Sequence, residues 1–196
     1  MARRDPAATK ARIVEAASGL FYARGIRAVG VDAIAAEAGV TKRTMYKHFD
    51  SKDALVTAYL AMRNEPVLAG LVAAATETEG EVADRIAAMF AGFADRASNP
   101  SWQGCPFARA ASELRDDDAA EPARIAGTHK HTFEHWLQTQ LAEAAVAEPE
   151  TVARQLMVLL DGCITQILIH RDPAYATATA EAARCLIRAR MGEGDA

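Results

Sequence analysis

Apolar residues recur along this chain at three- and four-residue intervals almost from end to end, the period of amphipathic helices. Over 9–24, Ile13, Val14, Ala17, Leu20 and Phe21 share one helix face, and Gly25 follows where a helix C-terminus favours glycine. Positions 31–38 turn Ile34, Ala35 and Ala38 inward and stop at Gly39. Thr41 supplies an N-cap for a third short helix over 41–49, with Met45 and Phe49 inward. Asp50 breaks it, and Ser51 caps a fourth helix bearing Leu55, Val56, Tyr59 and Met62 on its apolar face. Pro66 either ends that helix or kinks it before it resumes over 67–75.

Beyond Gly80, Val82, Ile86, Met89, Phe90 and Phe93 form a second stripe. Pro and Gly punctuate 98–106 as a loop, and a short helix follows over 107–114. The acidic turn Asp116, Asp117, Asp118 leads to a long helix over 119–147. Pro149 opens another over 150–170, apolar around most of its circumference, and Asp172 and Pro173 open the last, to about 190. The turn between these two is short, which makes them antiparallel neighbours. With no alternating strand pattern and no internal repeat, the fold class is all-α.

Composition narrows the function. At 196 residues with 51% apolar and 24% charged side chains, the chain holds enough apolar surface for a core. No apolar run reaches the roughly 18–20 residues of a membrane span, and the start has no apolar leader, so a cytoplasmic protein is expected. Three cysteines, Cys105, Cys163 and Cys185, form no CxxC pair and fit a reducing compartment. The net charge of −4 hides an asymmetry. Through Arg63 there are 11 Lys and Arg against 6 Asp and Glu, a net +5, which leaves −9 for the remainder. A basic end on an acidic body suits a reader of phosphate whose remaining surface is kept off the polyanion.

The segment 31–54 gives that charge a form. Two short helices flank Gly39-Val40-Thr41, the spacing of a helix-turn-helix. Past Thr41, inward Met45 and Phe49 are interleaved with Lys42, Arg43, Thr44, Lys47 and His48, and Tyr46 adds a hydroxyl on a rigid arm. A recognition helix offers its first residues to base edges while its neighbours hold phosphate. The run from Gly39 to Leu55, with 11–17 and 21–25 before it, resembles the TetR/AcrR-type one-component regulators in one ungapped register over about 9–60. A weaker likeness to a subset of that family lies in Gly104-Cys105-Pro106-Phe107 with Ala110, Ala111 and Glu113.

The resemblance implies a homodimer with an N-terminal three-helix helix-turn-helix domain (1–50), a connecting helix (51–80) and a C-terminal helical ligand-binding and dimerisation domain (81–196). It implies a repressor that releases a pseudo-palindromic double-stranded operator when a small molecule binds. Base contacts fall to Arg43 and Thr44. Phosphate contacts fall to Thr41, Lys42, Tyr46, Lys47, His48 and Lys52, with the backbone of Gly30. Many members carry a hydroxyl just before the second helix where this chain has Val29 and Gly30, and Arg27 stands near to compensate. The rival reading is a helical ligand-binding or enzymatic protein with an incidental helix-turn-helix.

In such a body, Met89, Phe90, Phe93, Trp102 and Phe107, with Phe133 and Trp136, are core candidates that can also line an apolar or aromatic effector pocket. His129, one turn before Phe133, and Glu113 would be its polar groups, and together they are the candidate metal pair should one exist. His131 and His135 face solvent. Leu156, Leu160, Ile164 and Ile167, with Cys185 and Leu186, are the expected dimer interface. Asp161, in an apolar run, is expected to bond within that interface or to face a cavity. No spacing of nucleophile, base or phosphate loop points to catalysis, and no cofactor or resident metal is expected.

Overall fold

In the computed structural model, residues 5–114 and 120–191 are described, and among them every regular element is helical. The acidic turn at 116–118 lies outside the described residues. The helices are α1 (Pro6–Arg24), α2 (Val31–Glu37), α3 (Lys42–Tyr46), α4 (Lys52–Glu77), α5 (Val82–Ala91), α6 (Phe93–Ala97), α7 (Pro106–Glu113), α8 (Ala120–Glu143), α9 (Pro149–His170) and α10 (Ala174–Met191). Pro66 neither ends nor splits α4, which runs through it.

The chain forms two compact units whose boundaries differ from the expected blocks. The first comprises Met1–Glu65 and Cys105–Thr128; the second comprises Pro66–Gly104 and His129–Ala196. One boundary falls inside α4, at Pro66, and another inside α8, after Thr128, so α7 and the start of α8 belong with the helix-turn-helix.

In the first unit, α1 starts earlier than its apolar stripe, because the Asp5 carboxylate accepts the Ala7 N–H at 3.0 Å and Pro6 occupies the first helical position. Ile13, Ala17 and Phe21 of α1 are buried with Ile34 of α2, Met45 of α3, Leu55 and Leu60 of α4, and Phe107 of α7. Phe21 meets Tyr59 at 5.6 Å between ring centroids. Burial raises the Tyr59 phenol pKa to about 12, so it stays protonated.

In the second unit, α10 packs on both α5 and α9. Asp84 of α5 receives Arg184 Nε at 2.7 Å and Arg188 Nη2 at 2.9 Å from α10, and this pairing holds its carboxyl below the usual range. Gly104 (φ +77°) lies so close to α9 that a Cβ there would stand 2.7 Å from Leu168 Cδ1. Arg171, left-handed at φ 54°, closes the α9–α10 turn and donates to the Trp102 carbonyl at 3.2 Å.

An 18-residue window of α9 has mean hydropathy 1.5, long and apolar enough by composition to cross a membrane, with 44% of it buried here. The polar residues that interrupt the apolar run do not prevent that average. The buried side includes Val152, Leu156, Leu160, Ile164 and Ile167, so these are core residues of one protomer. Leu156, Leu160, Ile164 and Ile167, expected to face a partner, are thus already buried within one protomer. Cys185 is exposed and Leu186 half-buried on α10.

Candidate nucleic-acid interface

The turn between α2 and α3 follows from three residues. Gly39 adopts φ +61°, and the Val40 N–H bonds the Ala35 carbonyl at 2.9 Å, closing α2. Thr41 is extended, and its hydroxyl accepts the Thr44 N–H at 3.1 Å while meeting the Thr44 hydroxyl at 2.8 Å. Helix α3 is one short stretch, but Lys47, His48 and Phe49 continue its turns through bonds to the Thr44 and Met45 carbonyls.

Met45 and Phe49 are buried at 1% and 5% exposure. That anchoring leaves Lys42, Arg43, Tyr46 and Lys47 exposed, with Thr44 and His48 half-buried. An open groove of about 630 Å³ is lined by Thr41, Thr44, Lys47 and His48, by the turn, and by Pro6 and Thr9 of α1. Lys52 is half-buried at the start of α4, where the Ser51 hydroxyl accepts the Ala54 N–H at 3.0 Å. Gly30 is the exposed, extended N-cap of α2.

Three residues near this surface have surroundings that bear on the expectation. Val29 is buried at 2%, so it presents nothing to a phosphate. Arg27 does not stand free to replace the missing hydroxyl: its Nε donates to the Glu113 carbonyl, and its backbone N–H donates to Glu113 Oε2. Lys42 is paired with Asp32 of α2. Asp32 was not legible as a partner, because ten residues and a turn intervene.

Of the expected effector residues, Met89, Phe90, Phe93, Trp102, His129, Phe133 and Trp136 belong to the second unit, whereas Phe107 and Glu113 belong to the first. Phe93 tilts against Trp102 at 6.3 Å, and Phe133 stacks on Trp136 at 5.7 Å. His129 is 2% exposed, and burial lowers its pKa to about 4, so it is neutral near pH 7. Glu113 is committed elsewhere: Arg109 Nε reaches its Oε1 at 3.0 Å. It is therefore not spare to serve as a ligand beside His129, and among the described residues no group of three or more His, Cys, Asp or Glu is arranged to hold a metal. Asp161 is exposed rather than buried, and pairs with Lys130 of α8. Arg109 and Arg63 were also missed. Arg63 lies 4.9 Å over the Tyr22 ring, a contact that needs the tertiary fold to appear.

Comparison with known proteins agrees with this geometry. The family model for bacterial regulatory proteins of the tetR family matches residues 13–59. An HTH-type transcriptional repressor of Streptomyces coelicolor is 33% identical over 110 residues, 56% of this chain and 57% of that protein. The regulator TtgR of Pseudomonas putida is 42% identical over 74 residues, 38% of this chain and 34% of its own. The matched stretches thus span less than two thirds of these curated relatives. Two solved structures are matched over nearly their whole length. A TetR-family regulator of S. coelicolor superposes with TM-score 0.81 and 29% identity, covering 94% of this chain and 97% of that one. A candidate TetR regulator of Streptomyces avermitilis superposes with TM-score 0.76 and 30% identity, covering 89% and 97%.

Proposed function

The chain belongs to the TetR family of bacterial regulatory proteins, and on that premise we propose that it is a homodimeric transcriptional repressor that releases its operator when a small molecule binds. The observation that carries the reading is the α3 surface. Buried Met45 and Phe49 fix a short helix whose outward side is Lys42, Arg43, Tyr46 and Lys47. Arg43 and Thr44 take base edges; Thr41, Tyr46, Lys47, His48 and Lys52, with the Gly30 backbone, hold phosphate. Two copies related by a two-fold axis present their α3 helices about 34–36 Å apart, one DNA turn, to a pseudo-palindrome.

The dimer face is the side of α9 and α10 that the protomer leaves open, with Val158 at 71% and Ile169 at 64% exposure. The effector is apolar or aromatic and is held among Phe93, Trp102, Phe133 and Trp136, with neutral His129 as its polar contact. It acts by favouring a dimer whose α3 spacing no longer matches the operator, since only differential affinity for two states shifts their populations. The protein works in the cytoplasm, beside DNA, as a regulator rather than a catalyst.

Footprinting on DNA flanking the protein's own coding sequence tests the reading. A protected two-fold site is expected, with affinity falling along a log–log salt slope of about −5 to −9, as for roughly 3–5 phosphates neutralised per subunit. Absence of protection, or a flat salt response, would overturn it.

A further inference from the structure

We propose that Asp32 sets the margin between operator and bulk DNA by cancelling the charge of Lys42 until the correct site is bound. The inference rests on the DNA-binding reading above. Asp32 lies in the first turn of α2, and Lys42 opens α3. The Lys42 ammonium stands 3.0 Å from Asp32 Oδ1 and donates to Oδ2 at 3.1 Å, so both carboxylate oxygens face it.

Both side chains are exposed, at 50% for Lys42 and 76% for Asp32. An exposed pair of this kind adds little to folding, and its place in the first turn of α2 gives the carboxylate only a modest favourable interaction with the helix dipole. Between Gly25 and Phe49 the only acids are Asp32 and Glu37. Glu37 lines a separate groove beside α1, with Arg12 and Arg24. Asp32 is therefore the acid of that stretch that pairs with the recognition helix; exposed Asp50 and Asp53 lie beyond it, at the α3–α4 junction. Phosphate repels Asp32 whatever the base sequence.

Lys42 therefore approaches DNA already neutralised. Random DNA is bound loosely, through net charge, and offers no oxygen fixed closely enough to replace a carboxylate at 3.0 Å. An operator held in register by Arg43 fixes its backbone and base edges, and there Lys42 exchanges Asp32 for a DNA acceptor. The carboxylate thus penalises wrong sequences more than the right one, a repulsive device for specificity.

The experiment compares the wild type with Asp32→Asn on two duplexes of equal length, the footprinted site and a scrambled sequence, across a salt series. One further phosphate neutralised per subunit steepens the scrambled-DNA slope by about 1.8 for a dimer, so Asp32→Asn loses about twelvefold more affinity than wild type between 50 and 200 mM salt. Its low-salt affinity for scrambled DNA rises, and the operator-to-scrambled ratio falls. Adding Lys42→Met to Asp32→Asn restores the wild-type slope, which separates freed charge from an altered α2. An unchanged slope, or an equal gain on both duplexes, overturns the proposal while leaving the repressor reading in place. A wild type that binds neither duplex takes down both.

Discussion

Glu113 accepts the backbone N–H of Arg27 at 2.9 Å, although 86 residues separate them. The same carboxylate receives Arg109 Nε at 3.0 Å, while Arg109 Nη1 donates to the Tyr22 carbonyl at 2.8 Å. Gly25, between them at φ +92°, leaves the room: a Cβ there would lie 3.0 Å from Glu113 Oε1 and 3.1 Å from Arg109 Nη2. This clasp ties α7 to the end of α1 and explains why the two fall in one unit. Hydrogen bonds to charged groups contribute about 1.5–3 kcal/mol each in favourable settings. Partial exposure reduces that here, so Glu113→Ala is expected to cost about 1–2 kcal/mol, read as a lower urea midpoint. An unaltered midpoint would show that the clasp holds nothing.

Buried His129 gives stability a pH dependence of known sign. The unfolded imidazole takes a proton near its ordinary 6.5, and the folded one holds off to about 4. The unfolded state therefore binds more protons between these values, so stability is full above about pH 6.5 and falls as pH drops towards 4. The urea midpoint is expected to fall between pH 7 and pH 5 in the wild type, and to fall by less in His129→Gln. Equal declines in both proteins would remove His129 as the cause.

The two sides of α9 respond differently to charge. Val158 is 71% exposed and Ile167 is fully buried within the protomer. Val158→Glu is expected to give folded monomers by light scattering, with operator binding weakened because two half-sites are no longer engaged together. Ile167→Glu places a carboxylate in the core and should destabilise by several kcal/mol. A dimeric Val158→Glu protein would mean that the subunits meet elsewhere.

On DNA, Arg43→Ala should cost about 1–3 kcal/mol at one position per half-site and relax base preference there. Tyr46→Phe should weaken operator and random duplexes alike, through loss of a phosphate contact. Competition binding against single-base operator variants separates the two. If Arg43→Ala weakens every duplex equally, the division between base and phosphate contacts is wrong.

Phe93 is 2% exposed and packs on Trp102. If the effector sits among these rings, Phe93→Trp fills its space. The variant should then bind operator normally while failing to release it with apolar aromatic compounds that release the wild type. In a tightly filled core the added bulk instead costs about 1–3 kcal/mol, seen in melting temperature. A destabilised yet still inducible variant would move the pocket elsewhere.

What the sequence determined is local. The period of apolar positions marked the helices, Gly39 and Thr41 marked the turn and cap, and Met45 and Phe49 oriented α3, because each depends on residues a few positions apart. Capping and loop contacts shifted the ends by several residues, as where Asp5 extends α1 backwards. Tertiary structure decided which neighbour covers each face. Helix α9 is apolar around most of its circumference, so its period could not assign Leu156, Leu160, Ile164 and Ile167 to the core and leave Val158 and Ile169 open. Asp161 sits in an apolar run, yet within the protomer it lies on the open side of α9, and its partner Lys130 comes from α8, which the run itself does not show. Glu113 and Asp32 are ordinary acids by composition, and their roles come from cations and amides that folding brings within about 3 Å. Hydrophobic periodicity specifies a side, whereas polar partnership depends on the path of the whole chain.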